Sequence, residues 1–282
     1  LTDWLDYELI DFGEGRKLER FGQMVLDRPC PAAAGLQQAN PSAWRSADAR
    51  YDGNRATNGK WSQKFAEFVQ EITSIRKMQL APLPSGQVGI FPEQFKNWEW
   101  IAEQIARKEK PVRVLNLFAY TGGSTLAAAS AGAEVTHVDA AKSMVARART
   151  NAELSELADR PIRWIVEDAL KFCQREVKRG NEYDAVILDP PSYGHGPNGE
   201  AWSIKRDLLS LLDLCGQLTA NNRLFVLCTC HTPEIDKAEL SAYVSEGLMG
   251  HCGRPPRVSD LMLNSSTDGR QLPSGVCARW PG

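Results

Sequence analysis

Apolar and polar positions alternate in short runs over the first thirty residues. Tyr7-Glu8-Leu9-Ile10-Asp11-Phe12 sets apolar side chains between acidic ones, Gly13-Glu14-Gly15-Arg16 makes a turn, and the pattern resumes in patches from Lys17 to Leu26. A period near two around a glycine turn predicts a β-hairpin. From Pro29 to Gly59 the periodicity fades and Pro, Ala, Asn, Gly and Ser take over, which is the composition of a loop-rich insertion. Trp61 to Met78 mixes aromatic and β-branched residues with charges, and Ala81-Pro82-Leu83-Pro84-Ser85-Gly86 then breaks the chain. These runs predict a small β-rich N-terminal domain over residues 1–90 and a second domain over 91–282.

The period then changes. Phe95, Trp98, Ile101, Ala102 and Ile105 share one helical face within Glu93–Lys110, and Pro111 closes that helix. Strand-like runs follow at 112–117, 134–138, 162–166, 183–188 and 223–228, separated by helical patterns at 124–131, 141–154, 169–178 and 204–218. Strands alternating with helices at this spacing predict a doubly wound α/β fold, a mostly parallel sheet covered on both faces.

The chain has 282 residues, with 33 Lys+Arg against 35 Asp+Glu, and is 43% hydrophobic and 24% charged. That balance excludes disordered, collagen-like and fibrous classes. A net charge of -2 argues against indiscriminate binding of polyanions but leaves room for a local basic patch. No apolar run nears the roughly 20 residues of a membrane span. The richest, Leu208 to Leu214, is broken by Ser210 and Asp213, so no membrane partner is expected. The acidic start Leu1-Thr2-Asp3-Trp4-Leu5-Asp6 lacks the features of a secretory signal, and seven scattered cysteines without a Cys-x-x-Cys pair fit a reduced, cytoplasmic protein. Oligomeric state leaves no mark in the sequence.

In such sheets ligands bind at the carboxyl ends of the strands. The first end carries Phe118-Ala119-Tyr120-Thr121-Gly122-Gly123-Ser124, where paired glycines let the backbone approach a ligand and aim the amides of the next helix at it. Val138-Asp139-Ala140 follows the second, with a carboxylate suited to the two hydroxyls of a ribose. Glu167-Asp168-Ala169 follows the third, where an acidic side chain and a backbone amide can meet an adenine. The alternatives are an ordinary strand-to-helix turn at Gly122-Gly123 and a helix cap at the acidic ends. The glycine spacing of a dinucleotide fingerprint is missing, which favours a nucleoside ligand without a diphosphate.

The run Val114-Leu115-Asn116-Leu117-Phe118-Ala119-Tyr120-Thr121-Gly122-Gly123, with Val138-Asp139-Ala140, Glu167-Asp168-Ala169 and Asp189-Pro190-Pro191-Ser192-Tyr193, resembles the S-adenosylmethionine-dependent methyltransferases related to the large-subunit (23S) ribosomal RNA methyltransferases. The resemblance covers roughly residues 85 to 235. Gly89-Ile90-Phe91-Pro92-Glu93-Gln94 resembles the segment that in this family precedes the fold and touches the cofactor, which assigns Gln94 to that role. The resemblance implies a Rossmann-like sheet of seven strands with the last reversed, for which Val276-Cys277-Ala278-Arg279-Trp280 is the candidate. It also implies S-adenosyl-L-methionine as cofactor, with Asp139 and Ala140 at the ribose, Asp168 and Ala169 at the adenine, and Phe118, Ala119, Tyr120, Thr121, Gly122 and Gly123 around the methionine part. Ribosomal RNA is the implied partner.

Asp189-Pro190-Pro191-Ser192-Tyr193 follows the apolar run Ala185-Val186-Ile187-Leu188, and its prolines fix the backbone so that the Asp189 side chain and the Pro190 carbonyl project at a substrate. Asp189 then borders both cofactor and base, and Tyr193 can stack on the base or merely close the pocket. Gly194-His195-Gly196-Pro197-Asn198-Gly199 reads as a mobile substrate loop. Where the fifth strand ends, Thr229-Cys230-His231 resembles the Ser/Thr-Cys pair of cytosine-5 RNA methyltransferases, which makes Cys230 a candidate nucleophile. Its alternative is a buried core cysteine, and the guanine-modifying relatives use no cysteine.

For RNA, Arg16, Lys17 and Arg20, then Arg50, Arg55 and Lys60, and finally Arg254 and Arg257 are candidates to track phosphates, with Trp44, Tyr51 and Trp61 to stack bases. The expected function is methyl transfer to a base of ribosomal RNA, at cytosine C5 or a guanine position. Its rivals are a methyltransferase of small molecules or proteins and a non-catalytic module that binds the cofactor or RNA.

Overall fold

In the computed structural model, which describes residues 6–53, 59–63, 65–72, 75–250 and 255–281, the hairpin at the start is β1 (Tyr7–Gly13) and β2 (Arg16–Phe21). Glu14 and Gly15 turn between them, both at positive φ (54° and 72°). The sheet continues through β3 (Met24–Pro29), β4 (Ala49–Asp52) and β5 (Lys60–Trp61) in sequence order. Only the β3–β4 pair is parallel. A separate antiparallel hairpin joins β6 (Phe68–Ile72) to β7 (Arg76–Leu80). The stretch read as a loop-rich insertion holds β4 and two single 3-10 turns, Pro31–Ala33 and Ala43–Ser46.

That insertion is tied down by one carboxylate. Asp11 is fully buried and accepts from the amides of Phe12 (2.8 Å), Ala39 (3.1 Å) and Asn40 (3.0 Å), from the Trp44 indole (2.9 Å) and from Arg270 Nη2 (3.0 Å). Burial alone would raise its carboxyl; these donors outweigh it and hold the group below its ordinary value. Leu9 and Phe12 pack beside it with Cys30, Ala33, Leu263 and Leu272. Residues 262–274 therefore group with 1–95 as one unit, and 96–261 with 275–282 as the other. The sequence reading had left 262–274 with the second domain and drew the boundary at 90.

The second unit follows the strand–helix rhythm: α1 (Phe95–Ala106), β8 (Arg113–Leu117), α2 (Gly123–Ser130), β9 (Glu134–Asp139), α3 (Lys142–Leu154), β10 (Ile162–Val166), α4 (Ala169–Lys178) and β11 (Ala185–Leu188). A short hairpin of β12 (Tyr193–His195) and β13 (Ala201–Ser203) precedes α5 (Ile204–Leu218), β14 (Phe225–Cys230) and α6 (Lys237–Val244). The chain ends in β15 (Arg257–Asn264) and β16 (Gln271–Trp280). Seven strands form one sheet in the order β10-β9-β8-β11-β14-β16-β15. The first five in that order are parallel, and β16 runs antiparallel to β14. This is the doubly wound α/β sheet with a reversed last strand that the resemblance implied.

The β11 strand sits mid-sheet and is buried on both faces. Leu115, Leu188, Val226 and Cys228 from the sheet meet Phe172, Leu208, Leu211 and Leu212 from the helices in one apolar cluster. At about 1.5–3 kcal/mol for each fully buried large side chain, this packing rather than helix propensity holds the sheet together. The helix α4 shows the local logic: Asp168 caps it by accepting the Lys171 amide at 2.9 Å, and Phe172, Cys173 and Glu176 line its inner face. Among the described residues no helix is long and apolar enough to cross a membrane.

Glu19 of β2 is wholly buried and accepts from Arg28 (2.5 and 2.9 Å), Lys17 (2.9 Å) and the Tyr7 hydroxyl (2.9 Å). Burial opposes its charge, and the two cations overcome that to hold its carboxyl down at about 2. A carboxyl depressed in the folded state stabilises fully above its unfolded value near 4.5, and that contribution fades as pH falls from there towards 2. We expect acid titration by circular dichroism to show stability lost across that window. Glu19→Ala, which strands Arg28, should cost about 3–5 kcal/mol in urea unfolding at pH 7.

Candidate cofactor and active site

The crevice at the carboxyl ends of the parallel strands begins where β8 gives way to α2. Three residues of this turn, Phe118 (φ 54°), Tyr120 (φ 50°) and Gly122 (φ 94°), alternate in the left-handed region. Such conformations are uncommon for residues with side chains and cluster at ligand sites. The turn is held from below: the Ala119 amide donates to Val138 O (3.1 Å), Asn151 Nδ2 to Thr121 O (2.9 Å), and the Tyr120 amide to Asp139 Oδ2 (2.8 Å). A side chain at Gly123 would lie 2.6 Å from the Trp98 ring, so the turn also needs glycine for packing.

Beneath the turn, Asn116 Nδ2 donates to Thr125 Oγ1, which meets His137 Nδ1, both at 2.9 Å. Burial pushes His137 down to about 3, so it stays neutral.

Asp139 ends β9. Its Oδ1 accepts the Ala141 amide (2.8 Å) and its Oδ2 the Tyr120 amide. A carboxylate has about four lone-pair positions, so two remain for a pair of hydroxyls. Burial raises its carboxyl in spite of both amides, so hydroxyl donors would be gained where water is scarce. One strand further, Asp168 is the cap of α4 and keeps its second oxygen, while Ala169 is buried beside it. Glu167 pairs with Arg175 at 2.5 Å. Carboxylate, left-handed glycine turn and capped helix start fit a nucleoside with a vicinal diol, the chemistry of S-adenosylmethionine. The sequence candidates Phe118, Ala119, Tyr120, Thr121, Gly122, Gly123, Asp139, Ala140, Asp168 and Ala169 all lie on these three neighbouring strand ends. Gln94 lies in the first unit, buried in the 3-10 turn Pro92–Gln94.

Asp189 follows β11 at the next strand end. Its Oδ1 accepts from Thr229 Oγ1 at 2.5 Å and lies 3.2 Å from His231 Nε2. Burial would raise this carboxyl, but the histidine and the threonine hydroxyl lower it. Ser192 Oγ and Thr232 Oγ1 pair at 2.7 Å alongside. A side chain on Gly275 (φ 127°) would come within 2.8 Å of His231 Nδ1, so that glycine keeps the space for the imidazole. Thr229 and His231 as partners of Asp189 were missed in the sequence. The signal was their spacing of two, with Thr229 in β14 and His231 directly after its end.

Alternation along the strand places Cys230 as the buried core cysteine that was one of its two readings. β14 runs two residues further than predicted because Thr229 and Cys230 pair with Cys277 and Val276 of β16. Cys230 therefore faces the apolar core with Cys228, at 1% exposure, and burial pushes its thiol up. A nucleophile needs the opposite environment. Of the stretch read as a mobile substrate loop, Gly194 and His195 lie in β12, and Gly196 to Gly199 belong to the loop of the β12–β13 hairpin. Trp202 anchors it by donating to Pro191 O (2.7 Å) and stacking on Phe118 (centroids 4.9 Å apart). Tyr193 stands out at 76% exposure on that hairpin.

Four of the six described basic candidates for RNA have partners inside the protein. Arg16 pairs with Asp27 (2.5 Å), Lys17 with Glu19, Arg20 with Glu8 (2.7 Å) and Arg50 with Asp27 and Asp52. Trp44 donates to Asp11, Trp61 to Leu83 O, and Tyr51 is buried with its hydroxyl on Pro84 O. Lys60 is exposed, and Arg55 and Arg254 fall outside the described residues.

A family profile described as S-adenosylmethionine-dependent methyltransferase matches residues 71–231. The crystal structure of an S-adenosylmethionine-dependent methyltransferase from Agrobacterium tumefaciens is 34% identical, with a TM-score of 0.91 over 98% of this chain and 90% of that one. Ribosomal RNA large subunit methyltransferase I of Aeromonas salmonicida is 33% identical over 181 residues, 64% of this chain and 44% of that protein. Ribosomal RNA large subunit methyltransferase K/L of Shewanella sp. (strain MR-4) is 31% identical over 121 residues, 42% of this chain and 17% of that protein. The chain thus spans less than half the length of these two curated relatives. With the profile covering more than half of its residues and the Agrobacterium enzyme matching nearly all of them, the chain belongs to the S-adenosylmethionine-dependent methyltransferases.

Proposed function

We propose that this protein methylates a base of ribosomal RNA in the cytoplasm, by direct transfer to a guanine position without a cysteinyl intermediate. The observation that carries this reading is the Asp189 carboxylate, held by Thr229 and His231 at the strand end beside the Asp139 crevice. The names of the curated relatives support ribosomal RNA as substrate.

When bound, S-adenosylmethionine supplies a methyl group on a positively charged sulfur. In this reading Asp139 holds the ribose diol, with Ala140 beside it, Asp168 and the Ala169 amide meet the adenine, and the turn from Phe118 to Gly123 cradles the methionine part. The neutral His137 beneath that turn adds no positive charge near the sulfur. Asp189 and the Pro190 carbonyl receive the N–H groups of the incoming base and orient its nucleophilic atom. Tyr193 offers a face for that base to stack on. The Asp189–His231 pair provides a place for the proton that the base gives up once the methyl is attached. Cys230, facing the core, takes no part.

The assay is transfer of labelled methyl to unmodified ribosomal RNA, followed by digestion to nucleosides. We expect label in a methylated guanosine, activity retained in Cys230→Ser, and no SDS-resistant adduct with RNA carrying 5-fluorocytidine. Label in 5-methylcytidine would restore Cys230 as nucleophile. Label absent from RNA while cofactor binds would point to a small-molecule or protein substrate.

Calorimetry tests the cofactor side. Asp139→Ala should weaken S-adenosylhomocysteine by more than about tenfold, since a charge-assisted pair of hydrogen bonds is worth at least ~1.4 kcal/mol. Unchanged affinity would remove Asp139 from the ribose. Asp189→Ala should instead lower kcat by about a hundredfold or more while leaving that affinity within a few-fold.

A further inference from the structure

Several guanidinium groups face carboxylates, as in Arg16–Asp27, Arg20–Glu8, Arg163–Glu176, Arg175–Glu167 and Arg206–Asp207. Two that do not, Arg257 and Arg279, share a surface recess of about 240 Å³ with Trp100, Ser259 and Pro281. Among the described residues no carboxylate lines it.

Arg279 is fixed in place. Its Nε and Nη2 donate to the buried Asn97 Oδ1 at 3.0 and 2.6 Å, and its guanidinium lies over the Trp100 ring, 5.2 Å from the centroid. Trp100 is itself braced edge-on against Phe225. Asparagine holds the guanidinium without neutralising it, so the positive charge stays available. Arg257 and Ser259 are exposed and two residues apart on β15, which puts them on one side of the strand. Asp260, on the other side, is taken by Lys237 at 2.6 Å. Arg257 has no hydrogen-bond or ion-pair partner among the described residues. Two unneutralised guanidiniums, a hydroxyl and an indole wall make a site for a phosphate ester carrying an apolar or planar group.

The size narrows the ligand. Pockets that enclose a whole small molecule run from about 300 to 1,000 Å³, and this recess is smaller and open, suited to one unit of a longer chain. Its place fits that too. Trp280 pairs with Val226 near the start of β14, so the recess lies at the amino end of the parallel strands, the end away from Asp189. One strand length, roughly 15–20 Å, separates the two ends, a span that a few nucleotides cover.

We propose that this recess binds the phosphate of a nucleotide, presented by an RNA chain whose target base enters the crevice at the other end of the same sheet. The RNA half of this proposal rests on the reading given under Proposed function, whereas the phosphate chemistry does not. A free nucleotide offers the same chemistry, and the experiment separates the two sources.

The full chain is titrated with a short single-stranded segment of unmodified ribosomal RNA and, separately, with uridine monophosphate. The indole N–H resonance of Trp100, assigned through Trp100→Phe, reports the recess, and fluorescence anisotropy over a salt series reports RNA affinity. We expect both ligands to shift Trp100. Arg257→Glu should abolish the shift, weaken RNA about tenfold and flatten the dependence of log affinity on log salt by about one, with Arg257→Lys recovering most of the loss. Arg257 is exposed and has no partner among the described residues, so these variants keep the fold. A Trp100 shift with uridine monophosphate but unchanged RNA affinity in Arg257→Glu overturns the RNA contact and assigns the recess to free nucleotides. If the wild type binds no RNA while uridine monophosphate still shifts Trp100, the RNA reading of the enzyme fails and the phosphate site stands. No shift with either ligand overturns the site itself.

Discussion

The antiparallel pairing of β16 with β14 decides which side chains reach the crevice at Asp189. Cys277 opposite Thr229 and Val276 opposite Cys230 carry the strand geometry to the end of β14, and strand geometry turns alternate side chains to opposite faces. Thr229 and His231 thereby share the face of Asp189, and Cys228 and Cys230 share the core. Gly275 completes the arrangement, because a side chain there would occupy the place of the His231 ring. Were β14 to end at Cys228, nothing in the backbone would hold Thr229 towards the carboxylate, and Cys230 would be freed from the core. One strand pairing thus separates a polar acid–imidazole site from a thiol site built from the same five residues.

Charge management around the crevice follows from burial. Asp139 gains two amides and keeps two lone-pair positions, Asp189 gains a hydroxyl and an imidazole, and His137 is kept neutral by desolvation and by its place in the Asn116–Thr125 chain. A buried carboxylate with partial satisfaction binds donors strongly, since water is not there to compete. The left-handed residues at Phe118, Tyr120 and Gly122 cost conformational energy, of order 1–3 kcal/mol for each residue with a side chain. The hydrogen bonds from Asn151 and to Asp139 and Val138 offset that cost and leave the turn shaped before any ligand arrives.

Much of this was legible because the second unit is built from local patterns. β10 and α4 lie at the limits that the alternation and the helical period gave, and the three acidic or glycine-bearing strand ends followed in order. What failed was non-local. The end of β14 is set by a partner some fifty residues later, and no local signal marks it. β15 escaped notice because Arg257, Ser259, Asp260, Met262 and Asn264 face solvent at the sheet edge, with only Leu261 and Leu263 buried. Arg16, Lys17 and Arg20 look like a basic cluster in sequence, yet Asp27 of β3 takes Arg16, Glu8 of β1 takes Arg20, and Glu19, two residues along β2, takes Lys17. Trp202 made the predicted loop into a hairpin through a single indole bond to Pro191 O, which composition alone does not reveal.

The distribution of charge also bears on how a polyanion would approach a chain whose net charge is only -2. The ends of β9, β10 and β11 carry Asp139, Asp168 and Asp189, and a phosphate drawn to any of these three would meet repulsion, whereas Glu167 is paired with Arg175. A base has no such penalty, since its N–H groups are donors for those carboxylates. An acceptor that brings a base to the crevice therefore has to keep its phosphates elsewhere, and extrusion of the target base from its stack achieves that separation. The guanidiniums of Arg257 and Arg279 stand at the opposite end of the sheet, where no carboxylate among the described residues lines the recess. On the proposed reading, separating the two along one sheet lets the acidic crevice select the base by its donors while a cationic surface elsewhere supplies the attraction that the crevice lacks.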